Sequence, residues 1–244
     1  MPDPPNQTWS KIDPTAFEEL TLLSFIAGVT ERVKLGTYVL LAPLRNPLVL
    51  LKQVTTLDVL SNGRVILGLG LGWMKEEFEA SGVPLAERGR RTDDMIRFLR
   101  KAWTASQPLS YQSKFIAVGP SFLEPLSIQR PIPIWIGGMS AGGLKRAARI
   151  GDGWLPNAAV SPEVVKASIE TIMSEAKRRG RDPSGITISC RLTLKGMESE
   201  APQVVSEVES LTKLGVHLFI VDFQGPGDDA EKIEMFSRSL MRSF

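Results

Sequence analysis

The apolar positions of the 244-residue chain fall into two kinds of stretch that alternate along its length. Short continuous runs rich in Val, Ile and Leu have the length and β-branched content of strands buried on both faces: VKLGTYVLLAP (33–43), VILGLGLGW (65–73), PIWIG (133–137), GWLP (153–156), ITISCRLTL (186–194) and HLFIVDF (217–223). Between them lie stretches whose apolar residues recur on one helical face, at 47–60, 75–81, 91–103, 141–151, 162–180, 201–215 and 228–240. An earlier helix is expected to start with Asp13 as N-cap and Pro14 at its first position. It carries Phe17, Leu20, Leu23 and Ile26 at three-residue spacing and stops near Gly28. Gly82-Val83-Pro84 splits the helical pattern after residue 74, and the proline-bearing stretch 105–131, with its alternating YQSKFIAV, reads as a hairpin-like excursion.

Six strand-like runs, each followed by a helical pattern, argue for a parallel α/β sheet in a single domain spanning 1–244. Periodicity leaves open whether that sheet is doubly wound or closed into a barrel. Composition adds little: 43% hydrophobic, 23% charged and net charge +2 describe an ordinary globular protein. The 29 Lys and Arg against 27 Asp and Glu are scattered, and the one basic group, KRRGR at 177–181, ends a helical stretch where cations suit the helix dipole; no nucleic-acid partner is expected. A lone Cys190 excludes an internal disulfide and a multi-cysteine metal site, and the simplest home is a reducing cytoplasm. No apolar run approaches the ~20 residues that span a bilayer, and MPDPPNQTWSKIDP lacks the features of a signal peptide, so no membrane partner is expected.

Three stretches invite chemistry. GLGLGW (68–73) lacks the spacing of a dinucleotide fingerprint; its glycines alternate on one strand face, where a neighbouring strand or a ligand can come close. At Gly137-Gly138-Met139-Ser140 a strand runs into a helix N-terminus, where free amides converge and a serine hydroxyl stands ready. The residues alone leave two readings open there: a seat for a phosphate, or a tight turn with Ser140 as helix cap. No Walker lysine follows. GDGWLP (151–156) forms the next junction, with Trp154 read as a core residue and Asn157 beyond it as a hydrogen-bonding candidate or plain turn chemistry. His217 opens a strand and is read as structural, Cys190 as a small core residue, and Asp222 as a possible catalytic group or a helix cap.

Taken in order, LGTYVLLAPLRNPLVLLKQVTTLDVLSNGRVILGLGLGWMKEEFEASG, ERGRRTDDMIRFLRKAW and PIPIWIGGMSAGGLKRAARIGDGWLP resemble the luciferase-like family of flavin- and deazaflavin-dependent oxidoreductases. The RNP, LSNGR, GLGLGWMKEEF and RGRR elements look most like the branch that uses coenzyme F420. The resemblance implies a (β/α)8 TIM-type barrel with an insertion near 105–131, and F420 as cofactor, with FMN as the alternative. It implies hydride transfer to or from a small or medium apolar organic substrate; an FMN monooxygenase and a catalytically silent flavin-binding protein are the other functions it allows. Carried over by position, Tyr38 and Val39 match a non-prolyl cis peptide against the ring, and Gly137, Gly138, Met139 and Ser140, with Asn157 beside them, match the segment that holds the cofactor phosphate. Trp73 stands where sugar-phosphate dehydrogenases of the family carry a glutamate, which implies an apolar substrate wall. No catalytic residue is assigned. The family's first two strands are not matched, so the expectation is either a start upstream of Met1, the favoured case, or a shortened member that covers its sheet edges as a homodimer.

Overall fold

The computed structural model describes residues 17–194, 201–223 and 229–240, and the chain divides into two compact units, Met1–Gly137 and Gly138–Phe244. In the first unit the order is α1 (Glu19–Val29), β1 (Leu35–Gly36), β2 (Leu40–Leu41), α2 (Pro47–Leu60), β3 (Val65–Gly70), α3 (Lys75–Ala80), α4 (Arg88–Thr104), β4 (Leu109–Gln112), β5 (Ala117–Ser121) and β6 (Ile134–Gly137). Strand β3 is central: it pairs in parallel with β1 (Leu35 opposite Val65), β2 (Leu40 opposite Leu69) and β6 (Leu67 opposite Ile134). All of β6, and all of β3 but Ile66, is buried, as their unbroken apolar runs require.

Two boundaries differ from those the sequence suggests. The expected start at Asp13 and Pro14 lies outside the described residues; the helix that carries Leu20, Leu23 and Ile26 begins at Glu19, and Phe17 and Glu18 before it are not helical. Its N-cap is Glu18, whose carboxylate accepts the Thr21 amide at 2.8 Å while Arg45 pairs with both Glu18 and Glu19. The run VKLGTYVLLAP is likewise two short strands rather than one. Between Gly36, opposite Ile66, and Leu40, opposite Leu69, one side advances from 36 to 40 while β3 advances only from 66 to 69. The extra residue bulges the chain, and there the Thr37 hydroxyl donates to the Gly68 carbonyl at 2.7 Å.

The LSNGR segment serves α1. Asn62 (φ 53) and Gly63 (φ 76) turn the chain, and buried Arg64 then donates to the carbonyls of Ala27, Thr30, Val33 and Ser61 and to the Thr30 hydroxyl. A cation on the last carbonyls of a helix satisfies groups that have no intrahelical donor. The 105–131 excursion contains the antiparallel β4–β5 hairpin, fastened to α4 through the Asp94 carboxylate, which accepts from the Tyr111 and Ser113 hydroxyls. Its return segment is fixed by buried Asp58, which accepts the Ile128 and Gln129 amides and the Gln129 side chain.

The second unit contains α5 (Ala141–Ile150), β7 (Gly153–Leu155), α6 (Pro162–Arg178), β8 (Thr187–Leu194), α7 (Ala201–Lys213), β9 (Leu218–Phe223) and α8 (Asp229–Leu240). Here β8 is central, parallel to β7 (Gly153 opposite Thr187) and to β9 (Cys190 opposite Phe219). Ile188, Cys190, Leu192 and Leu194 share one buried face of β8. His217, just before β9, donates its amide to Ile188 and accepts the Ile188 amide on Nδ1 at 3.1 Å, a strand-joining role that agrees with its structural reading. No helix among the described residues is long and apolar enough to cross a membrane.

Candidate cofactor site

In the second unit the turn between Gly138 and α5 is built almost entirely from backbone. Gly138 has φ +118, a conformation side chains rarely adopt, and a Cβ added there would meet nothing within 4 Å. Its amide donates to the Leu155 carbonyl at 3.0 Å, which lays the turn along β7. Its carbonyl accepts the Trp154 indole N–H at 2.8 Å. Ser140 is the N-cap of α5, and its Oγ accepts the Gly143 amide at 3.2 Å. That bond uses a lone pair and leaves the hydroxyl proton able to donate elsewhere. Cap and anion donor are therefore compatible roles for Ser140. Ala141 and Gly142 are exposed, and as first-turn residues their amides have no intrahelical acceptor. No acidic residue lies in the first turn of α5 to oppose an anion.

Tyr38, Val39 and Gly137 gather in the first unit. The Tyr38–Val39 peptide is cis. The Val39 side chain stands over the ends of β3 and β6: a Cβ on Gly137 would lie 2.8 Å from Val39 Cγ1, and one on Gly70 would collide with Val39 Cγ2. The neighbour for which the GLGLG face makes room is thus, at Gly70, a valine of the adjacent chain segment. Gly72 (φ +76) lets the chain turn against the Phe78 ring, and Trp73 follows it, 44% exposed between β3 and α3. Tyr38 is 37% exposed.

The other reactive side chains have structural partners. Burial, assisted by the Glu207 carboxylate, pushes the Cys190 thiol up to about 11, so it is protonated and unreactive near neutrality. Asp222 pairs with Arg191 on the neighbouring strand. Asn157 is exposed two residues beyond β7. No cluster of three or more His, Cys, Asp or Glu among the described residues could hold a metal. The residue that sequence reasoning missed is Trp154: it is a core side chain, fully buried, yet it also reaches Gly138. The signal was there, because a buried indole N–H needs an acceptor.

Comparison with known proteins gives these features a context. A family model described as luciferase-like monooxygenase matches residues 6–206. An uncharacterized protein of Mycobacterium tuberculosis is 30% identical over 226 residues, covering 91% of this chain and 74% of its own. The FMNH2-dependent dimethylsulfone monooxygenase of Pseudomonas putida is 31% identical over 195 residues, covering 78% of this chain and 53% of that protein. Among solved structures, an F420-dependent secondary alcohol dehydrogenase in complex with an F420-acetone adduct superposes with TM-score 0.80 at 17% identity, covering 92% of this chain and 83% of that one. The coenzyme F420-dependent tetrahydromethanopterin reductase of Methanopyrus kandleri gives TM-score 0.74 at 22% identity, over 93% and 88% of the two chains. At these identities the structures speak for the fold, which is the α/β class of the luciferase-like TIM barrels.

Proposed function

Because the chain belongs to the luciferase-like monooxygenase family, whose members are oxidoreductases or monooxygenases, we propose that it transfers a hydride between coenzyme F420 and a small or medium apolar organic substrate. The observation that carries the cofactor half of this reading is the Gly138 to Gly143 turn, with its open side, its capping hydroxyl and its unopposed helix N-terminus. Such a turn suits a phosphate ester, which gains from both amide donors and the helix dipole. In this reading Met139, Ala141 and Gly142 offer amides, Ser140 its hydroxyl proton, and Asn157 a side-chain amide. For the ring, the proposed contacts are Tyr38 and Val39, with Gly137 leaving room for the Val39 side chain, and Trp73 is the proposed apolar wall for substrate. When bound, the deazaflavin supplies the hydride chemistry, while the protein supplies binding, orientation and exclusion of water.

The FMN monooxygenase reading has one observation of its own, the likeness to an FMNH2-dependent enzyme at 31% identity. Turnover with reduced F420 under anaerobic conditions, set beside turnover with FMNH2 in the presence of oxygen, separates the two. Reduced F420 is expected to be oxidised in proportion to product when the protein meets a panel of apolar ketones and activated alkenes. Oxygen uptake and an oxygenated product with FMNH2, and no reaction with reduced F420, would reverse the order. Silence with both would favour a flavin-binding protein without turnover.

A further inference from the structure

The hydrogen bond from Trp154 to Gly138 has a consequence for the amides of the turn. A peptide group is planar, so the Gly138 carbonyl and the Met139 amide lie in one plane and point in opposite directions. Fixing the carbonyl fixes the amide. Steric contact does not hold this peptide: Gly138 lacks a side chain, sits at φ +118, and has open space where a Cβ would stand. A glycine in that position can rotate its peptide at little cost.

What holds it is the indole. Trp154 is 0% exposed, and its Nε1–H reaches the Gly138 carbonyl at 2.8 Å. The tryptophan is itself anchored, since the Ser189 hydroxyl donates to its carbonyl at 2.6 Å and the next residue, Leu155, accepts the Gly138 amide. With its oxygen held by the indole, the Gly138–Met139 peptide turns the Met139 N–H away from Trp154. An indole differs from a phenyl ring in its size, which fills the core, and in one donor, which is spent on the turn.

We propose that Trp154 is a positioning residue for anion binding, holding the Gly138–Met139 peptide so that the Met139 amide joins those of α5 around a phosphate ester. The proposal rests on the reading that this turn receives the cofactor phosphate, and the test distinguishes the two failures. Affinities are measured for wild type and Trp154→Phe with phosphate-bearing and phosphate-free partners: F420 against its phosphate-free deazariboflavin chromophore, and FMN against riboflavin. Thermal unfolding is followed in parallel. Wild type is expected to prefer the phosphate-bearing form, and Trp154→Phe to lose about tenfold of that preference, the scale of one charge-assisted hydrogen bond, with affinity for the phosphate-free form nearly unchanged. An unchanged preference in Trp154→Phe, whatever happens to its stability, would overturn the positioning role. No preference in wild type would instead sink the phosphate reading, and the positioning role with it. Should Trp154→Phe fail to fold, wild-type amide resonances with added inorganic phosphate decide: Met139 is expected to shift together with Ala141 and Gly142. A shift at those two without Met139 would contradict the proposal.

Discussion

At Gly142 the two meanings of the α5 turn come apart. It is exposed, it occupies the second helical position, and a Cβ there would meet only the Ser140 hydroxyl, at an easy 3.9 Å. Aspartate at this site relieves the helix of a glycine and places a negative charge at the positive end of the dipole, so it is expected to leave stability unchanged or raise it by about 0.5–1 kcal/mol. The same carboxylate opposes a phosphate. Gly142→Asp is therefore expected to keep or raise the melting temperature while weakening F420 binding at least about tenfold, measured by calorimetry. Equal affinity in the variant would leave the turn as a helix cap alone. Gly138→Asp is a poorer probe, because φ +118 would strain any side chain whether or not a ligand binds. At this scale the sequence shows the glycines and Ser140, whose chemistry is local. It does not show the Trp154 bond, because sequence separation says nothing of which acceptor a buried indole will find.

Among the elements, the β4–β5 hairpin depends on Asp94, 3% exposed, which receives the Tyr111 hydroxyl at 2.8 Å. Tyr111→Phe removes a donor from a buried carboxylate and is expected to cost about 1–2 kcal/mol. Burial, then the hydrogen bond and charge of Asp94, hold the Tyr111 phenol above its ordinary value. A folded-state value raised above the unfolded one means that the folded protein keeps this proton more tightly. Its contribution is complete below the ordinary phenol range near ~10 and is lost as pH rises through the folded value. Urea midpoints at pH 8 should therefore differ between wild type and Tyr111→Phe, and the gap should narrow in alkali; coincident midpoints at pH 8 would show that the tether contributes nothing.

Strand and helix order was legible because the runs have the length and pattern of their elements and the breaks at Gly63, Gly82-Val83-Pro84 and Gly151 fall between elements. The interruption at Tyr38–Val39 was not legible from the apolar run itself. There a Thr37 hydroxyl donates to the Gly68 carbonyl, a side-chain bond that no hydrophobic pattern registers; only the family resemblance pointed to that step. The alternation of Gly68, Gly70 and Gly72 announced a close neighbour without naming Val39.

For the whole molecule, the family was legible through the order and spacing of many weak segments rather than through any single motif. The three described side chains that the sequence singles out for acid–base or nucleophilic chemistry are otherwise engaged: His217 bridges strands, Cys190 is buried and protonated, and Asp222 is paired with Arg191. The relatives divide between two cofactors, FMN in the dimethylsulfone monooxygenase and F420 in the solved reductase and dehydrogenase. The proposed seat at the α5 turn is for a phosphate, which both cofactors carry, so the ring must be chosen by experiment. The most direct measurement is a titration of the purified protein with F420 and with FMN, followed by difference absorbance. The account predicts saturable binding of F420, tighter than that of FMN. Tighter binding of FMN would contradict the F420 assignment, and binding of neither would contradict the cofactor site itself.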